Sequence, residues 1–474
     1  MLSTESVVVF DKTIKDKTIK NDIPKTGAKS LSLMDRLSEA RRRSDALFNI
    51  VRAGFLYERP IPERHRIIFY VGHLEAFDWN LLSDSVLGLQ SLNPKLDRLF
   101  AFGIDPVGGG LPSDVPSDWP TRDAVRDYVT NIRRGLDNHL EKAIAAGEAT
   151  KRDGFSLDTL LNVAIEHRLM HVETLAYMLH QLPLNMKEPP EAGIAPIVYS
   201  SPVNSSPVQN NLGRKMIAVP AGTVTLGLSR GAQDFGWDNE FDAHSVEVPG
   251  FAIDQYKITN RQYLEFMSGG GYETRALWTE DDWNWKTEQS ISHPSFWRKD
   301  GAVWHYRSMF AELPLPLDWP VYVSQAEASA YARWAGKSLP TEAEWLRAGY
   351  GTADGTTSAY PWGNESPTAE SGNFDFKSWD PTSFNAFPSN QSTFGVHDML
   401  GNGWEWTSTV FGPFPGFKPF AFYKGYSADF FDGKHFVMKG GSARTAECML
   451  RSTFRNWFQA HYQYVYAGFR CVSR

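Results

Sequence analysis

The chain has 474 residues, and a rule of roughly 100–200 residues per domain suggests two or three domains. Hydrophobic residues make up 42% and charged residues 22%, which excludes a wholly disordered chain. The formal charge is −7 with no domain-sized basic patch, so nucleic acid is not an expected partner.

Residues 1–30 are polar, carry the duplication DKTIK-DKTIK (Asp11 to Lys20) and read as a disordered tail. They have lysines but no apolar stretch with a cleavage site, so they do not read as a secretion signal, and a cytoplasmic protein is expected. From 31 to 182 apolar residues recur at three- and four-residue spacing, as in Val125-Val129-Ile132-Leu136-Leu140. Four long helices are predicted over about 31–56, 64–88, 121–146 and 156–181, with Ser156 capping the last and Pro183 stopping it. A Gly- and Pro-rich crossover over about 89–120 makes this an antiparallel four-helix bundle. No apolar run reaches the roughly 18–20 residues of a membrane span. A Pro-rich linker covers 183–215.

Beyond it, over 216–474, the texture changes to short apolar runs such as Met216–Val219 and Val246-Glu247-Val248 among Gly, Asn, Pro and Trp. One helix-like stretch, Ser324 to Ala335, interrupts them. An α+β domain with a largely aromatic core is expected, since most of the 16 Trp, 18 Tyr and 30 Phe lie after residue 235.

Chemistry in the helical half centres on His167-Arg168-Leu169-Met170-His171. Residues four apart share a helix face, so two imidazoles can reach one ion. His73 on the second helix would point into the bundle beside Tyr70 and Phe77, completing a three-imidazole set with open positions, suited to Fe(II), Zn or Ni. Glu166 and Glu173 could accept from the free ring N–H groups, or be surface charges. The same spacing also fits histidines that merely face solvent or are satisfied in the core.

In the aromatic half, Asp398 to Thr407 reads as a Gly/Asn turn feeding a strand, and Thr341 with Glu344 as a capping box. Both read as architectural. The rings around Phe454 to Phe458 and Tyr462, Tyr464 and Tyr466 could hold a quaternary ammonium group through cation–π attraction.

Together, His73, HxxxH, the linker and the strings LPTEAEW (339–345), YPWGN (360–364), DMLGNGWEWT (398–407), KGGS (439–442), FRNW (454–457) and AGFR (467–470) resemble a known family. They are similar to the ergothioneine-biosynthesis sulfoxide synthases (EgtB). Those join a DinB-like four-helix bundle to a C-type-lectin-like domain of the formylglycine-generating-enzyme (sulfatase-modifying factor) type. The resemblance implies a nonheme Fe(II) oxidoreductase that uses O2 to join the imidazole C2 of hercynine (N-trimethylhistidine) to a thiol, giving a sulfoxide. It implies His73, His167 and His171 as iron ligands, and Asn456 and Trp457 beside the trimethylammonium group.

Three departures stand out. Leu99 to Pro106 replaces a segment that contributes to the thiol site in many members. Phe458 stands where users of γ-glutamylcysteine carry Asp, and their proton-donor tyrosine falls at Phe420, leaving Tyr423 as the candidate catalytic tyrosine. These departures point away from γ-glutamylcysteine, toward another thiol such as cysteine. Selenoneine synthases (SenA), which share the architecture, would instead join hercynine to a selenosugar. The fold also implies a possible structural Ca2+ on Asn373, Asn402 and Glu405.

A formylglycine-generating enzyme would need a close cysteine pair, but Cys448 and Cys471 are the chain's only cysteines and lie well apart. A plain DinB-type transferase would leave the aromatic half unexplained. A C-type-lectin-like binding module is the non-enzyme alternative. The oligomeric state, monomer or dimer, is left open.

Overall fold

The computed structural model describes residues 31–83, 87–101, 112–146, 155–190, 215–231 and 235–474. The expected tail 1–30 and most of the expected linker, 191–214, lie outside the described residues. The chain divides into two units, Met1–Gly193 and Ile194–Arg474.

In the first unit, α1 (Leu33–Phe48), α2 (Ile67–Leu82), α3 (Pro94–Phe100), α4 (Arg122–Ala145) and α5 (Leu157–His180) follow in order. Three begin on hydroxyl caps: Ser32 accepts from Asp35 N, Thr121 from Ala124 N and Ser156 from Thr159 N. α1 packs on α5, and α2 packs on α3, α4 and α5. α2 and α5 are therefore buried on nearly every side, which explains their weak amphipathic pattern.

The expected first helix, 31–56, ends early at Phe48. Past it the backbone pairs with the 186–188 segment (Arg52 N to Met186 O, Glu188 N to Ile50 O), so its N–H groups leave the helical ladder. The expected crossover contains α3, started by Asn93, whose side chain accepts from Leu96 N, and by Pro94 at the first helical position.

The described residues of the second unit form four small sheets. β1 (Met216–Val219), β4 (Phe251–Asp254) and β12 (Val472–Ser473) form one, in the order β1-β4-β12. β2 (Gly222–Leu226) and β3 (His244–Val248) form a ribbon, and β5 (Trp297–Asp300), β6 (Val303–Arg307) and β7 (Glu312–Pro314) a meander. The fourth has the order β10-β9-β8-β11, from β8 (Trp404–Val410), β9 (His435–Lys439), β10 (Asn456–Gln459) and β11 (Ala467–Gly468). β8 lies antiparallel to β9 and parallel to β11.

This half carries α6 (Asn260–Ser268) and α7 (Glu280–Glu288) besides the two expected helices, α8 (Gln325–Trp334) and α9 (Glu342–Tyr350). Thr259 and Thr279 cap the two unexpected early ones. The expected capping box is present on α9: Glu344 N donates to Thr341 Oγ1 and Thr341 N to Glu344 Oε2.

The DMLGNGWEWT segment turns through left-handed residues, with φ of 56° at Asp398, 82° at Gly401 and 62° at Asn402. At Gly401 a side chain is also sterically barred, because a Cβ would lie 2.5 Å from Asn373 O. The turn delivers Trp404 and Trp406 into the core and Glu405 onto Arg470, which grips it through two N–H···O bonds of 2.6 and 2.8 Å. Lys257 Nζ lies 3.5 Å from the same carboxylate and Trp345 Nε1 donates to it at 3.1 Å. The DMLGNGWEWT and AGFR strings thus meet in one buried polar clasp. Cys448 and Cys471 are both free thiols.

Candidate metal centre

α5 carries His167 and His171 one turn apart, and α2 brings His73 against them. Each ring offers a nitrogen within 4.8 Å of the others, and ring centroids are 4.5 to 5.6 Å apart. Among the described residues this is the single cluster of three or more His, Cys, Asp or Glu fit to hold a metal. All three histidines are buried, 2 to 5% exposed. Phe77 stacks on His167 at 3.4 Å and Phe69 on His73 at 4.9 Å, which fixes the rings.

Burial pushes His73 down to about 4, and burial plus the neighbouring imidazoles hold His167 and His171 well below their ordinary value. The cluster is therefore neutral near pH 7, the form that donates to a metal. His73 Nδ1 sits 2.7 Å from Phe100 O. A carbonyl only accepts, so Nδ1 carries the proton and the Nε2 lone pair is left over. That Nε2 is buried with no hydrogen-bond partner, as is His171 Nδ1. Unpartnered buried ring nitrogens in a neutral imidazole set are what a divalent metal would satisfy, so the residues fit one.

Beneath this layer lies a charge network. Arg168, fully buried, donates to Glu75 Oε1 (2.9 Å), Asp78 Oδ2 (2.6 Å), Leu74 O (3.0 Å) and Ser44 Oγ (3.2 Å). Arg133 joins Glu75 to Asp45. Glu166 and Glu173 are buried rather than on the surface.

In the second unit the rings of Trp457, Tyr423 and Phe420 come together. Trp457 stacks on Phe411 (4.2 Å) and meets Tyr426 edge-on (5.4 Å); Tyr426 stacks on Trp237 (3.9 Å). Tyr423 lies 5.5 Å from Tyr426 and Phe420 6.4 Å from Trp237. Asp238 ties this loop down, accepting from Ser427 Oγ and Phe420 N. Asn456 accepts from Trp457 N at 2.9 Å. Phe458, one residue on along β10, faces the other way and stacks on Tyr462 at 4.8 Å.

Asn373 Nδ2 lies 3.3 Å from Asn402 Oδ1, but the Glu405 carboxylate faces Arg470 and Lys257. Two cations occupy the side from which a Ca2+ would bind it.

A family model for the sulfatase-modifying factor enzyme 1-like domain matches residues 202–474. A hercynine oxygenase of Mycolicibacterium smegmatis is 31% identical over 455 residues, covering 93% of this chain and 98% of that protein. The chain belongs to the hercynine oxygenase family. A second hercynine oxygenase, from Mycobacterium tuberculosis, is 38% identical over 248 residues, 52% of this chain and 57% of that protein. Ergothioneine biosynthesis protein 1 of Schizosaccharomyces pombe is 30% identical and covers 88% of this chain and 53% of its own length.

For this hercynine oxygenase relative, sequence reasoning missed Arg168, Glu75 and Asp78, although Arg168 stands inside the HxxxH string. It also missed Phe100 as a partner of His73, Tyr426 as a partner of Trp457 and Trp237 as a partner of Tyr426. An Arg between two buried histidines on an all-round apolar helix was the available signal for the first group. Nothing local pairs Trp237 with a ring nearly two hundred residues away.

Proposed function

We propose that this chain is a nonheme Fe(II), O2-dependent oxygenase that joins the imidazole C2 of hercynine to a thiol donor and yields a sulfoxide. The observation that carries this reading is the buried, neutral His73, His167 and His171 cluster in a chain aligned almost end to end with a hercynine oxygenase. Bound Fe(II) would supply open coordination positions for O2 and a thiolate together, with the three histidines as its protein ligands. Phe69, Phe77 and the buried helix faces exclude bulk water from the cluster.

In the second unit Trp457 and its neighbour Tyr426, backed by the buried Trp237, offer rings to a trimethylammonium group, with Asn456 beside them. Tyr423 is the candidate proton donor. Phe458 and Phe420 stand where users of γ-glutamylcysteine carry an Asp and a proton-donor tyrosine, so another thiol donor such as cysteine fits better. No helix among the described residues is long and apolar enough to cross a membrane.

Anaerobic Fe(II) loading followed by O2, hercynine and, in parallel, cysteine, γ-glutamylcysteine or a selenosugar tests the reading through product mass. A hercynyl-cysteine sulfoxide is the expected product. A selenosugar adduct would instead move the chain to selenoneine synthesis, and no adduct with any donor would favour a binding module.

Trp457→Ala removes one ring face, and cation–π contacts contribute about 0.5–2 kcal/mol. Hercynine affinity in calorimetric titration should fall about 2- to 30-fold, with metal content unchanged. Unaltered affinity would take Trp457 out of the site.

A further inference from the structure

The short helix α3 ends on Phe100, and the last carbonyls of a helix have no intrahelical partner. One of these carbonyls accepts the Nδ1–H of His73. Three features fix where it lies. Asp97 on α3 accepts from Tyr128 Oη of α4 at 2.7 Å and from Ser91 Oγ, which pins the helix from both sides. The Phe100 ring is fully buried, 5.6 Å from the Tyr128 ring and stacked with Trp119. On α2 the residue preceding His73 is Gly72, where a Cβ would lie 2.4 Å from Phe100 Cε2. Only glycine lets the ring lie flat on the α2 backbone, and only that approach brings the carbonyl within 2.7 Å of His73.

We propose that α3, held by the Asp97–Tyr128 bond and seated on Gly72, is a tautomer lock for the metal centre: it keeps the His73 proton on Nδ1 and so delivers the Nε2 lone pair to the cluster. Tyr128, Asp97 and Gly72 are positioning residues, acting through the Phe100 carbonyl. This rests on the reading of His73, His167 and His171 as metal ligands. The energetic reason is the usual one for imidazole ligands. A ring whose far N–H is hydrogen-bonded has one tautomer and one orientation, and losing that partner typically costs about 10–100-fold in metal affinity.

The test uses the full chain with 15N-labelled histidine, wild type against Tyr128→Phe and Gly72→Ala. Long-range 15N–1H correlation on metal-free protein reports the His73 tautomer, and titration with Co(II) reports affinity. Wild type should show the Nδ1–H form. Tyr128→Phe, which keeps the ring, should show mixed tautomers and about 10-fold weaker Co(II) binding, and Gly72→Ala a loss nearer 100-fold. Leu136→Ala, a core truncation on α4, is the control for general destabilisation and should leave tautomer and affinity unchanged.

An Nε2–H wild-type His73, or wild-type Co(II) affinity in both variants, overturns the proposal. So does a Leu136→Ala effect as large as theirs. A wild-type chain that keeps the Nδ1–H form yet binds no Co(II) supports the carbonyl contact and overturns the metal reading alone.

Discussion

Replacing His171 by alanine is expected to abolish turnover and, on the proposed reading of the cluster as an iron site, to prevent iron loading at micromolar metal. His167 and His171 are the i,i+4 pair on α5, and the third imidazole of the cluster, His73, faces them from α2. Two imidazoles cannot define a three-point facial site. The affinity loss should therefore exceed the roughly 10–100-fold cost of losing an outer hydrogen-bond partner. The fold should survive, because the side chain lies in a cluster whose ring nitrogen has no hydrogen-bond partner to strand. Fe(II) titration under anaerobic conditions and a turnover assay check both halves. Retained iron with full activity would remove His171 from the metal centre.

The second large effect is on stability. Arg168→Met should destabilise the helical unit by about 3–5 kcal/mol, because it leaves Glu75 and Asp78 as buried carboxylates without their shared cation. Burial opposes ionisation of Glu75, but the charges of Arg168, Arg133 and Arg41 outweigh it and hold the carboxyl well below its usual range. Asp78 is raised instead, since burial and the Glu75 charge outweigh what Arg168 gives it. Without Arg168, Asp78 is the group that takes up a proton on folding. A carboxyl whose folded pKa lies above its unfolded value adds stability as pH falls. The deficit should thus be largest at alkaline pH and shrink toward the carboxyl range. Denaturant midpoints across pH measure it, and Arg168→Met with Glu75→Gln and Asp78→Asn should recover most of the loss. A loss below about 1 kcal/mol would mean that the network is hydrated and contributes little.

Arg168 also explains why the histidines are where they are. It stands between the two α5 histidines in sequence and reaches α2, the helix that carries His73, at Leu74 O, Glu75 and, one turn further on, Asp78. The cation thereby clamps the register of α2 against α5. The histidine cluster is a consequence of that register, since His73 reaches α5 only at one axial offset.

Much of this was legible in the chain itself. Spacing alone put His167 and His171 on one helix face, and the Ser156 cap, Pro183 stop and Thr341–Glu344 box follow from local backbone chemistry, which operates within one turn. The Gly/Asn turn before β8 was readable for the same reason: left-handed φ selects those residues wherever the chain goes next. α3, α6 and α7 were signalled by Asn93-Pro94, Thr259 to Gln262 and Thr279 to Asp282, short cap signatures hidden in Pro- and Trp-rich surroundings.

The sequence by itself therefore determined several helix starts, the Gly/Asn turn and the placing of His167 and His171 on one helix face, all set by interactions a few residues long. Tertiary structure alone decided that α1 stops at Phe48 to pair with residues 186–188, that the Phe100 carbonyl chooses the His73 tautomer, and that Glu405 answers to Arg470 and Lys257. It also decided that Tyr426 bridges Trp237 and Trp457 while Phe458 turns away. Each of these depends on which surfaces meet when apolar area is buried, and that choice is made by the packing of distant segments rather than by any local propensity.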